Sequence, residues 1–165
     1  MNKSVTDILK EAILLEMRGQ AFYSNVAEKS DNEAAKEFFQ LMAKEEGEHI
    51  RFLKEQYSSY TKEEKFVAPK EIETDDETVT RILTDKIKKE ITAASFEASA
   101  ISAAMDFETR AVKIYADRAK EATDPQEKKT YDMLAKWEVG HQKFLHEINE
   151  ELRESIWYDN QFWAF

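Results

Sequence analysis

The stretch "AKEEGEHIRFL" (residues 43–53) puts Glu46 three residues before His49, and "AKWEVGHQKFL" (residues 135–145) puts Glu138 three residues before His141. Both read Ala-Lys-x-Glu-x-x-His-x-x-Phe-Leu. Sliding the chain against itself by 92 residues extends the match without a gap over 16–56 and 108–148. Glu16 falls on Glu108, Arg18 on Arg110, Tyr23 on Tyr115, Ala27 on Ala119 and Lys36 on Lys128. With Ala43, Lys44, Glu46, His49, Phe52, Leu53 and Glu55 on their counterparts, 12 of 41 positions are identical, several times chance. The chain therefore contains one helical hairpin written twice.

Helical periodicity supports this reading. In the second segment Ala35, Phe39, Met42, Glu46, His49 and Leu53 are spaced four and three apart, as one face of a helix requires. The fourth segment repeats this with Tyr131, Leu134, Glu138, His141, Leu145 and Ile148. The first aligns Leu9, Ile13, Glu16, Gln20, Tyr23 and Ala27, and the third Ile101, Met105, Glu108, Val112, Tyr115 and Ala119. Each helix thus carries a carboxylate in an otherwise largely apolar stripe.

Boundaries follow from punctuation. Ser4 and Asp7 have capping-box spacing, so the first helix is predicted from there to about Lys29. Ser30 or Asp31 is the expected cap of the second, which runs to about Tyr57. Residues 58–76, with Pro69, read as connection, and a short helix is predicted over 77–90. The third main helix covers about 95–122; Asp124 caps the fourth and Pro125 opens it, and that helix runs to about Ser155. The expected fold is an all-α, antiparallel four-helix bundle over 1–156, with hairpins 4–57 and 95–155 joined by one long crossover (58–94). An aromatic tail, 157–165, would cover an apolar patch on its own bundle or on a second subunit, as in a homodimer, the alternative being a docking surface for a redox partner.

The totals restrict function. The chain has 165 residues, enough for one core, with only 3 Gly and 2 Pro as turn punctuation. Charged residues make up 35% and hydrophobic residues 42%, a helix-rich mixture. A net charge of −10 disfavours nucleic acid and anionic membranes as partners. The absence of Cys excludes disulfides, thiolate metal sites and thiol catalysis within these residues. Charges interrupt the N-terminal segment, which lacks a signal-peptide core, and no apolar run reaches transmembrane length, so the expected compartment is the cytoplasm.

The repeat also sets heights. Glu16 and Glu46 are equidistant from residue 31, and Glu108 and Glu138 from residue 123. Folded antiparallel, each pair meets about 22 Å from its turn. Pseudo-twofold symmetry then brings four carboxylates and two imidazoles, His49 and His141, to a common centre. Unpaired buried carboxylates cost several kcal/mol each, so they must protonate, pair or bind cations. One Glu from each of two helices, plus Glu-x-x-His from each of the other two, is the general di-iron or di-manganese carboxylate arrangement. Such a donor set suits iron or manganese, and zinc as well. The competing reading is a set of salt-bridged surface residues.

On "EMRGQAFY" (16–23), "EEGEH" (45–49), "ETRAVKIY" (108–115) and "EVGH" (138–141), the chain resembles the rubrerythrin branch of the ferritin-like superfamily over about residues 4–155. The resemblance implies two iron ions that react with peroxide or dioxygen. It implies Glu46 and Glu138 as bridging ligands, Glu16 and Glu108 as terminal ones, and His49 and His141 on one metal each. Tyr23 and Tyr115 would hydrogen-bond ligand carboxylates, the alternative being core tyrosines with other partners. Two departures stand out. Rubrerythrins proper carry a four-cysteine rubredoxin domain, so electrons here would come from a separate donor protein. They also carry an extra ligating Glu where this chain has Ala111, which leaves a symmetric six-ligand site like those of simpler oxidases and ferroxidases. Gly19 and Ala111 would leave room for an oxidant or allow close helix packing. His146, without a repeat partner, reads as a surface residue, and the acidic run 44–48 mostly as a solvated face. Three functions remain open at this point: a di-iron oxidoreductase, an iron-handling protein without sustained turnover, and a metal-free scaffold.

Overall fold

Asp7 donates its backbone N–H to Ser4 Oγ at 3.2 Å, and α1 (Val5–Lys29) starts there as the spacing predicts. Five helices follow in the computed structural model, which describes residues 3–68, 77–92 and 95–159 and all side chains in them except at 77–79 and 156–159. They are α1, α2 (Glu33–Glu63), α3 (Glu77–Glu90), α4 (Phe96–Glu121) and α5 (Pro125–Asp159). Asp124 Oδ1 accepts the N–H groups of Gln126 and Glu127 at 2.7 and 2.9 Å, so Pro125 opens α5 as expected. The bundle is all-helical among the described residues.

Three boundaries differ from expectation. The cap of α2 is Asn32, whose Oδ1 accepts from Ala35 N–H at 2.8 Å. Ser30 instead donates back to Val26 C=O, and Asp31 N–H donates to Glu97 on α4 at 3.1 Å. α2 continues six residues past Tyr57 and stops at Glu64, which adopts the left-handed conformation at φ 53°. The polar run 58–63 hides this extension, which tertiary contacts hold: the Tyr60 and Phe66 rings lie 5.3 Å apart, and Gln56 brackets both polar groups of the Val67 backbone. The α5 backbone reaches Asp159, past Ser155. Pro69 and residues 160–165, most of the predicted aromatic tail, lie outside the described residues.

α1 pairs with α2 and α4 with α5, as two hairpins. The short α3 lies in the crossover and packs on α2 and α5, where Arg81 and Lys88 both reach Glu147. Two apolar clusters fill the interior. One, around Tyr23, Phe38, Phe39, Ile101, Leu145 and Ile148, lies towards the α1–α2 turn. The other, around Leu9, Leu53, Tyr115, Tyr131 and Leu134, lies towards the α4–α5 turn. Burying each such side chain stabilises the fold by about 1.5–3 kcal/mol. Between the two clusters runs a layer of buried charge.

Candidate metal centre

Six ionisable residues form that layer. Glu16, Glu46, His49, Glu108, Glu138 and His141 are each at most 5% exposed. The helical stripes bring all six together. Their donor atoms form two overlapping groups, Glu16–Glu46–His49–Glu138 and Glu46–Glu108–Glu138–His141, each with atoms within 4.8 Å of one another. Glu46 and Glu138 belong to both.

The sharing is resolved by atom. Nδ1 of His49 lies 3.0 Å from Glu138 Oε1 and 3.5 Å from Glu46 Oε2. Nδ1 of His141 lies 3.3 Å from Glu138 Oε2 and 3.5 Å from Glu46 Oε1. Each shared carboxylate therefore turns one oxygen to each imidazole. Glu16 Oε2 adds a contact of 3.0 Å to His49, and Glu108 Oε1 one of 3.5 Å to His141. Tyr115 donates to Glu16, and Tyr23 donates to Glu108, each from the opposite hairpin. Both tyrosines thus have carboxylate partners, one of the two alternatives their positions allowed.

Among the described residues, seven buried side-chain N or O atoms lack a hydrogen-bond partner, and six belong to this layer: both oxygens of Glu46, both of Glu138, Glu108 Oε2 and His141 Nδ1. Leaving a buried polar atom unsatisfied costs about 1–3 kcal/mol. Five carboxylate oxygens and an imidazole nitrogen converge there and could hold a cation of the kind that oxygen-and-nitrogen donor sets accept, such as iron, manganese or zinc. The residues fit two divalent metals.

Without metal, charge is balanced by protons. Burial, reinforced by the charge of Glu138, pushes Glu16 well above its ordinary value and Glu108 up to about 8. Burial opposes ionisation of Glu138 too, but the charge of His49 and contacts with both imidazoles hold it well below the usual range. For Glu46, burial and Glu138 push upward, and the nearby His141 and His49 rings, each 3.5 Å away, outweigh them. Burial disfavours charge on both histidines, yet the surrounding carboxylates hold them well above their ordinary value. The surroundings thus favour the charged forms of Glu46, Glu138 and both histidines and the neutral forms of Glu16 and Glu108.

A neighbour of the layer that sequence reading left on the solvated face is Glu45. Its Oε2 lies 2.7 Å from His141 Nε2, with 15% of its side chain exposed. A signal for it existed: Phe38, Met42, Glu45, His49 and Phe52 form a second four-and-three stripe on α2. Trp137 stacks on His49, with ring centroids 4.9 Å apart and planes 9° from parallel. Ala111 is buried against Tyr115 in the second apolar cluster, and His146 is exposed, as expected.

Residues 7–149 match the rubrerythrin family. The chain belongs to the rubrerythrin family. A solved structure of a hypothetical protein from Pyrococcus furiosus is similar over 92% of this chain and 92% of that one, with 25% identity and a TM-score of 0.62. No curated protein matches the chain. Family membership agrees with the buried carboxylate–histidine layer, which has the donor set of a dimetal site. No helix among the described residues is long and apolar enough to cross a membrane.

Proposed function

We propose that the chain is a non-haem di-iron oxidoreductase that couples Fe(II) oxidation to reduction of peroxide or dioxygen. The observation that carries this reading is the division of Glu46 and Glu138 oxygens between His49 and His141. Two Fe(II) ions, if bound there, would supply the two electrons that, with two protons, convert one peroxide to two waters. Glu46, Glu138, Glu16 and His49 would hold one ion, and Glu46, Glu138, Glu108 and His141 the other.

The chain's own residues supply the rest. Tyr115 and Tyr23 fix the outer carboxylates by hydrogen bonding, so that Glu16 and Glu108 keep one orientation. The apolar clusters on both sides exclude bulk water, which strengthens every charge interaction in the layer. Sustained turnover would draw electrons from a separate donor protein.

A second reading, stoichiometric iron binding without sustained turnover, is favoured by Ala111. It brings no carboxylate to the position where the resemblance expects one, and it is 1% exposed in an apolar setting. A metal-free scaffold fits poorly with six unsatisfied polar atoms. The deciding experiment is anaerobic Fe(II) loading followed by peroxide consumption with a reductant, for the wild type and for Glu46→Ala and Glu138→Ala. Two irons per chain with sustained, mutation-sensitive consumption support the enzyme. One oxidation event and then silence supports iron handling, and no binding supports the scaffold.

A further inference from the structure

Among the positions where the repeat breaks beside the metal centre, one pair touches the two histidines: position 45 is Glu, and its counterpart 92 residues on is Trp137. The two side chains sit behind opposite histidines. Glu45 Oε2 accepts the Nε2–H of His141 at 2.7 Å, with 15% and 6% of the two side chains exposed. In the neutral imidazole that a metal would bind, this bond sets the tautomer, because a proton on Nε2 leaves Nδ1 with its lone pair. That Nδ1 is the unsatisfied atom facing Glu46, Glu108 and Glu138. Behind His49 stands the Trp137 indole, face to face with the imidazole and edge-on to Phe52. An indole has no acceptor, so it packs the ring without adding charge.

A carboxylate behind a ligating imidazole fixes its orientation and raises its basicity, and removing such a group typically costs about 10–100-fold in metal affinity. Here that device serves one imidazole, while an indole is stacked on the face of the other. We propose that Glu45 is a positioning residue that makes the two metal positions inequivalent. The position at His141 fills first and holds its metal more tightly, and the position at His49, backed by Trp137, fills second. The inference rests on the dimetal reading above and deepens it: the protein passes through a defined one-metal state.

The test is anaerobic titration of metal-free protein with Co(II), followed by calorimetry and by the visible ligand-field spectrum. The wild type is expected to bind in two steps separated by about 10–100-fold, with different spectra for the first and second Co(II). Glu45→Gln keeps the shape and removes the charge. It should weaken the tighter step by about that factor, bring the two steps together and change the first spectrum. Glu45→Asp should restore part of the separation. Trp137→Glu should strengthen the weaker step without moving the first. Circular dichroism and the melting temperature of each metal-free variant separate these effects from misfolding; if Glu45→Gln fails to fold, Trp137→Glu decides alone. Two equivalent steps in the wild type, or unequal steps that neither Glu45→Gln nor Trp137→Glu moves, would overturn the inference and leave the dimetal reading standing. Failure of the wild type to bind Co(II) would overturn both.

Discussion

The hydroxyl of Tyr23 on α1 donates to Glu108 on α4, so each hairpin locks a carboxylate of the other; Tyr115 and Glu16 form the reciprocal pair. These bonds cross the interface between the two repeats, where α1 and α4 otherwise touch little. Tyr23→Phe or Tyr115→Phe should each leave a buried carboxyl oxygen short of a donor. The expected loss is about 1–3 kcal/mol in the metal-free protein. Metal stoichiometry should not change, since neither hydroxyl faces the donor cluster as a ligand. Chemical denaturation with chelator present reads the loss, and wild-type midpoints in both variants would refute the role.

The shared and unshared carboxylates should behave differently on substitution. Glu46 and Glu138 each contribute to both groups, whereas Glu16 and Glu108 contribute to one. Glu46→Ala or Glu138→Ala is expected to reduce bound metal from two per chain to near zero. Glu16→Ala or Glu108→Ala should leave about one. Elemental analysis after anaerobic loading distinguishes the classes, and equal losses at all four positions would contradict the geometry.

Stability of the metal-free protein should fall as pH rises. Glu108 is lifted to about 8 and Glu16 well above its ordinary value near 4.5, chiefly by burial. The native state therefore binds more protons than the unfolded chain between the two values. That contribution is full below the unfolded pKa and is lost as pH climbs through the folded one. His49 and His141, also raised, act with the same sign. Glu46 and Glu138 are held low and act in the opposite direction, but only as pH drops below about 4.5. From pH 6 to 9 the melting temperature with chelator is expected to fall by on the order of 5 °C or more. A flat or rising calorimetric profile would disagree.

Metal loading should release protons. The upward shifts of Glu16, Glu108, His49 and His141 favour a proton on each that a bound metal would displace. Two divalent ions then offset the four ionised carboxylates. About four protons per chain should appear in a weakly buffered titration, and affinity should rise with pH. Release of one proton or none would mean that the layer is already ionised.

The three glycines should respond differently to Ala. A Cβ on Gly19 would lie 2.9 Å from Phe107 Cε1 and 3.3 Å from Glu46 Cδ. Overpacking there costs about 1–3 kcal/mol, more than the roughly 1 kcal/mol of helix propensity gained. Gly140 has nothing within 4 Å of such an atom, so Gly140→Ala should stabilise by about 0.5–1 kcal/mol. At Gly47 the nearest atom is the flexible end of Gln20, at 2.8 Å, and the change should be close to neutral. Thermal melts of the three variants give the order directly.

Local and periodic features were readable from the chain alone. Ser4 and Asp124 announced two helix starts because a cap depends on three or four consecutive residues. The apolar stripes and the 92-residue repeat placed Glu16, Glu46, His49, Glu108, Glu138 and His141 on inward faces at one height, since helix pitch is constant. What depends on two helices meeting was not readable. The α2 extension to Glu63 needs Phe66 to fold back on Tyr60, and the Asn32 cap emerges once Glu97 occupies the N–H of Asp31. Glu45 sits in an acidic run that looks solvated, and it reaches His141 because α5 lies across α2 at that level. Sequence alone determined which residues face inward, because that follows from the geometry of a single helix. Tertiary structure alone decided which oxygen faces which imidazole, and that one histidine is backed by a carboxylate and the other by an indole, because those relations exist between helices.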